Sequence, residues 1–306
     1  MDASSNLDLP IDAPVAIAEK EEKRRFEFDW NKIRSSPAFY PGVALLVGLF
    51  AMFWGLFEEL PALWFGDDGY YSHGILVPLI SGYVIYRWWP SLKNIQVKPS
   101  YIYIVPLLAT LWIARAAVAY NVGLVSSGLL IICLLCGIAF IAGWRWMMGL
   151  ALPTIYLAFC LPVWNMAITY YTNPLQVTST KVAFKMLEIT GFQPLREDNL
   201  IYLGSYHLDV GVPCSGLKLV LALYAFTIFF AMIARLRWWA NVILILIIPL
   251  PLALLVNGLR IMMIGVVGYY KGDEASMQFH DWSGYISLIV CFLILFKLAR
   301  LLGWKD

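Results

Sequence analysis

The stretch PCSGLKLVLALYAFTIFFAMIA, Pro213 to Ala234, decides the class of this protein. After its first six residues it carries no charge beyond Lys218 and no proline. A bilayer core is crossed by about 20 mostly apolar helical residues, and this run supplies them. The surrounding chain is of the same kind. Of its 306 residues, 61% are hydrophobic and 14% charged, against roughly 45–50% and about 25% in a soluble domain. The mean hydropathy is +0.72. The 13 Trp, 17 Tyr and 17 Phe suit rings gathered at two membrane interfaces. A net charge of +2 gives no reason to expect a nucleic-acid partner. Five cysteines without regular spacing make no disulfide framework. The composition therefore describes an all-α polytopic membrane protein embedded in the lipid bilayer.

Working outward, about eight transmembrane helices are expected, near 39–58, 74–89, 101–119, 122–142, 146–164, 215–234, 238–270 and 283–302. The seventh stretch exceeds one span and holds Pro249 and Pro251, so a kink or break is expected there. Residues 1–36 read as a polar, disordered cytoplasmic tail without a cleavable signal, and 37–306 as one transmembrane domain. With the N-terminus inside, 15 Lys and Arg fall on internal segments and 7 on the other side. That split predicts both termini in the cytoplasm.

The longest outward segment, 165–213, holds an amphipathic helix candidate at 174–190 and then two alternating runs around Gly204-Ser205. These predict a small extracytoplasmic amphipathic helix and a β-hairpin.

Three residues attract attention as chemistry. Cys214 opens the sixth span, and a thiol at a helix N-terminus is biased toward thiolate. Lys218, one turn on, shares its face and adds positive charge. Arg260 is flanked by apolar residues, where a guanidinium normally faces a polar interior, and Asn257 shares its face. His280 stands at the entrance of the last span as a possible acid or base. Each alone has an ordinary alternative: a buried thiol, a snorkelling arginine, a capping imidazole. Under an orientation derived only from Lys and Arg, all three reach the same outer face. A nucleophile, a cation and a base at one level are what acyl transfer requires.

His73, in YYSHG, faces outward too and can line such a site. His207 belongs to a strand face, and Asp67, Asp68 and Asp209 read as solvated carboxylates. Cys133 and Cys136 form a C-x-x-C inside an apolar helix, with no sign of redox use. No phosphate loop, zinc spacing or serine-hydrolase elbow occurs, so no cofactor or metal is called for.

PCSGLK around Cys214, NGLR around Arg260 and HDWSG around His280 resemble the Cys, Arg and His motifs of the exosortase/archaeosortase family, leaning to its exosortase branch. YYSHGILVPLISGYVIYRWW and GFQPLREDNLIYL are similar to that family's second-span signature and to the segment ahead of its cysteine. The resemblance implies a cysteine protease/transpeptidase of the cytoplasmic (inner) membrane with its site at the extracytoplasmic face. Its partners would be membrane-anchored substrate proteins ending in a PEP-CTERM-like signal: a short motif, a hydrophobic helix and a basic cluster. An acceptor nucleophile of unidentified nature completes the reaction, and the family is associated with exopolysaccharide production. Carried over, Cys214 is the nucleophile, His280 the acid/base and Arg260 the charge stabiliser, with Asn257 in support. Lys218 stands where that family often has arginine, which keeps the charge and loses the bidentate fork. The competing class is a transporter or channel with Arg260 and Asn257 lining the pathway; a third is a structural subunit of a polysaccharide machine.

Overall fold

A computed structural model describes residues 34–66, 69–120, 122–234 and 236–304. The expected tail lies almost wholly outside the described residues, as do Asp67 and Asp68. In chain order the helices are α1 Phe39–Met52, α2 Trp54–Phe65, α3 Leu76–Leu92, α4 Ile104–Ala119, α5 Gly123–Ala142, α6 Trp144–Tyr156 and α7 Asn165–Ile189. Three short strands follow, β1 Leu195–Glu197, β2 Leu200–Leu203 and β3 Tyr206–Asp209. The chain closes with α8 Leu217–Ile233, α9 Trp238–Val242, α10 Pro249–Lys271 and α11 Asp273–Leu301.

Among the described residues, five helical stretches are long and apolar enough to cross a membrane, and seven if each of two bent pairs is one span. The expected eight is therefore not reached. The stretch near 74–89 forms α3, whose 17 residues extend about 25 Å, short of a hydrocarbon core of about 30 Å. The expected first span is a bent pair, α1 and α2, meeting at 73°. Residues 144–160 and 162–189 meet at 70°. There the cause is Pro162: it drives Leu161 into an extended conformation, φ −109° and ψ 153°, and the helix cannot continue.

The proline-bearing seventh stretch breaks less sharply than its sequence suggests. Pro249 and Pro251 fall in the first turn of α10, where an amide N–H is not needed. Just ahead of them lies a π-helical segment, Ile243–Ile247, with Ile248 N–H donating to Ile243 O at 3.1 Å.

Helix α7 also departs from expectation. It starts at Asn165, and the face it buries includes Gln176, Ser179, Thr180, Ala183 and Leu187. Ile189, expected on its apolar face, is 77% exposed. Its partner is α10, which offers glycine where the two backbones close. An added Cβ on Gly258 would run into the Val182 side chain and come within 3.4 Å of the Ala183 nitrogen. Two helical turns on, Gly265 leaves room for Leu208 and Leu203 of the strands.

Where the sequence suggested a hairpin, there is a three-stranded antiparallel sheet in the order β1-β2-β3. Ile201, Leu203, Leu208 and Val210 form its buried face, packed with Ala183, Leu187, Ile261 and Ile264. Cys214 belongs to the same cluster. The glycine face of α10 thus brings α7, the sheet and the cysteine turn together. Gly258→Val should force α7 away and lower the melting temperature in detergent, a loss of about 2 kcal/mol or more. Gly128→Ala, with nothing within 4 Å of its new Cβ, is the control. Equal melting of the two variants would contradict this packing.

Candidate active site

Cys214 lies in a 3-10 turn, Val212–Cys214, and is 7% exposed. Its N–H donates to Gly211 O at 2.9 Å, and its own carbonyl accepts from Asn257 Nδ2 at 2.7 Å. Ser179 Oγ donates to the next carbonyl, that of Ser215, at 3.2 Å. The cysteine is thereby tied to α7 and α10. Gly216 makes this possible: at φ +81° it turns the chain into α8, and a Cβ there would lie 2.9 Å from Asn257 Nδ2. The helix proper begins only at Leu217. The expected helix-terminal thiol is therefore corrected to one held ahead of the helix, outside the turn where the dipole acts most strongly.

Arg260 ties α10 to α11. Its Nε donates to Ser283 Oγ and its Nη2 to His280 O, both at 3.0 Å. The positive charge of the guanidinium also reaches the Cys214 thiol. Asp209, read from sequence as a solvated carboxylate, is exposed but carries its charge to the same thiol. No carboxylate among the described residues forms an ion pair with Arg260. Hydroxyl and carbonyl oxygens satisfy it instead.

His280 is not at a helix entrance. Helix α11 begins at Asp273, about ten residues before the expected span, because DEASMQFHDWSG is polar yet carries no proline, and Gly284 is taken up inside the helix. Gly272, at φ +84°, makes the stop, and Asp273 and Glu274 complement the new N-terminus. His280 thus stands in the body of a helix, its side chain 26% exposed and its Nδ1 3.3 Å from Asp281 Oδ1. Cys214 and His280 line one cavity of about 220 Å³, together with β3 and the start of α11. Tyr206 and Ser276 close part of its rim through a 2.8 Å hydroxyl pair.

The remaining predicted residues take different places. The Lys218 ammonium lies over the Gly69 backbone, and its charge is felt by His73 and by Arg260. His73, in the loop between α2 and α3, is 7% exposed, and neither ring nitrogen has a hydrogen-bond partner. His207 pairs across strands with Tyr202, ring centroids 4.9 Å apart. Cys133 is fully buried in the core around α5, away from the cavity.

Ser283 and Ser276 were passed over in the sequence, while Asp209 was read only as a solvated carboxylate and Gly216 only as part of a helix start. Ser283 had a usable signal, since it lies three residues after His280 on the same helical face.

Burial, and then the Lys218 charge, push the His73 pKa from 6.5 down to about 4. The fold holds the neutral ring, whereas the unfolded chain binds a proton once pH falls below about 6.5. Stability should therefore fall as pH drops through this window, by about 2 kcal/mol at pH 5. Melting at about pH 7 and about pH 5 should show a smaller drop for His73→Gln than for the wild type. The same drop in both would contradict this assignment.

Residues 64–297 match the family model described as Transmembrane exosortase (Exosortase_EpsH). No curated protein and no solved structure matches the chain significantly. The matched region runs from the end of α2 almost to the end of α11 and contains every residue of the cavity. Such membership points to a membrane transpeptidase of protein sorting acting on substrates that bear a sorting signal. On a match covering most of its length, the chain belongs to the transmembrane exosortase family.

Proposed function

We propose that this protein is a membrane cysteine transpeptidase that cleaves a C-terminal sorting signal through an acyl-enzyme on Cys214. The observation that carries this reading is the shared cavity of Cys214 and His280, with the Arg260 charge reaching the thiol and its guanidinium bonded to the His280 carbonyl.

The chemistry follows from those groups. The Cys214 thiol gives up its proton to His280, and sulfur attacks the scissile carbonyl carbon. Arg260 balances negative charge first on sulfur and then on the carbonyl oxygen. The C–N bond breaks, His280 returns the proton to the departing amine, and a thioester remains. An amine or hydroxyl of an envelope acceptor then attacks the thioester, passes its proton to the thiol through His280, and takes the substrate. Water in the same place yields hydrolysis. Asn257 is a positioning residue, holding the cysteine turn through the Cys214 carbonyl. Lys218 and His73 flank the site from the α2–α3 side. The transporter alternative is weaker, because Asn257 is 2% exposed and bonded to Cys214, and Arg260 is engaged by α11.

The basic-residue asymmetry supports both termini in the cytoplasm and the cavity at the extracytoplasmic face of the inner membrane. A substrate ending in a motif, an apolar helix and a basic cluster would then insert its helix beside the protein and present the motif to Cys214. The test is co-expression with such a substrate, followed by its mass in membranes. Wild type should remove the tail, and Cys214→Ala at equal abundance should not. Arg260→Lys, which cannot bridge the same set of oxygens, should lower processing about tenfold or more. Processing by Cys214→Ala would remove the thiol from the mechanism.

A further inference from the structure

The wall of the cavity contributed by the sheet has a distinctive form. Five consecutive residues, Tyr206 to Val210, line it. Successive side chains of a strand point to opposite faces, so a run of neighbours borders one space only along a backbone edge. Strand β3 has such an edge, being last in the order β1-β2-β3 and paired with β2 alone.

The register shows which backbone groups this edge presents. Leu203 and Tyr206 close a two-residue turn, Ile201 faces Leu208, and Val210 N–H donates to Asn199 O at 3.1 Å. Hydrogen-bonded pairs alternate in an antiparallel ladder, so Tyr206, Leu208 and Val210 turn their backbone groups toward β2. His207 and Asp209 turn theirs away from it. The Asp209 carbonyl takes the N–H of Gly211 at 3.1 Å. The His207 N–H and C=O and the Asp209 N–H have no backbone partner among the described residues. A row of unpaired donors and acceptors is the complement of another extended backbone. This one leads through Gly211 into the turn that carries Cys214.

We propose that the substrate segment holding the scissile bond binds as a fourth strand along β3. Its backbone pairs with the His207 N–H and C=O and with the Asp209 N–H, and this register delivers its carbonyl to Cys214. The inference rests on the transpeptidase reading and names its substrate form: an extended polypeptide, held by main-chain bonds between β3 and the first turns of α11. The occupant is a peptide because both donor and acceptor are offered at strand spacing. An acidic lipid headgroup or a lone anion would use the donors and leave the carbonyl unmatched.

Proline tests this directly, since it removes an N–H and is tolerated where that N–H faces away from the ladder. In membranes carrying a co-expressed substrate that wild type processes and Cys214→Ala does not, His207→Pro should process at least about tenfold less than His207→Ala. Both lack the imidazole, and only the first lacks the amide. Arg196→Pro, at the outward position of the far edge strand β1, should process more than His207→Pro and shows that the sheet accepts proline. Equal processing by the two His207 variants would overturn the proposal while leaving the Cys214 chemistry standing. A second measurement needs no enzyme variant. Single N-methyl groups walked along a synthetic peptide carrying the same signal should block wild-type processing at alternate residues around the cleaved bond. Loss without a two-residue period would equally overturn it.

Discussion

The guanidinium of Arg260 is the point through which the site is assembled. It lies in α10 and bonds only oxygens of α11 at its Nε and Nη2, those of Ser283 and His280, while its charge reaches the Cys214 thiol. An arginine among apolar helices is costly unless its donors are met. Meeting them here fixes the rotation of α11 against α10, and so fixes which face of α11 carries His280. Asn257, one turn earlier on α10, does the same for the cysteine turn. Two side chains three residues apart therefore set the relative placement of a thiol and an imidazole that arrive on separate elements.

What allows those bonds to form is the absence of side chains at a few places. Gly216 takes a left-handed backbone conformation against the Asn257 amide, and Gly258 admits α7. Gly268 leaves space filled by the Tyr206 ring, whose hydroxyl meets Ser276 of α11. The sheet is thus held to α10 by close packing and to α11 by a hydrogen bond. It is too short to stand alone, and its buried face is completed by α7 and α10.

How much of this is legible in the sequence differs by element. Uninterrupted apolar runs read well: the expected 101–119 and 122–142 correspond to Tyr101–Ala119 and Gly123–Ala142. Bends read poorly. Pro162 offers a signal, but the 73° break between α1 and α2 falls at Phe53, where no proline marks it. Hydropathy also hides polar helix, as the first turns of α11 show. At the site, residue type and order single out Cys214, Arg260 and His280. Their partners are serine, glycine and backbone carbonyl, which are too common to stand out and acquire meaning only once α7, α10 and α11 are packed. The edge of β3 is less legible still, because its donors belong to the main chain.

The central claim is that Cys214 and His280 work as a pair within one cavity. The most direct measurement is the rate of Cys214 alkylation by a small reagent between pH 5 and 9, read from the mass of its peptide in the full-length protein. The pair predicts that His280→Ala slows alkylation near pH 7 by about tenfold and moves its onset to higher pH. Superimposable profiles for wild type and His280→Ala would contradict it.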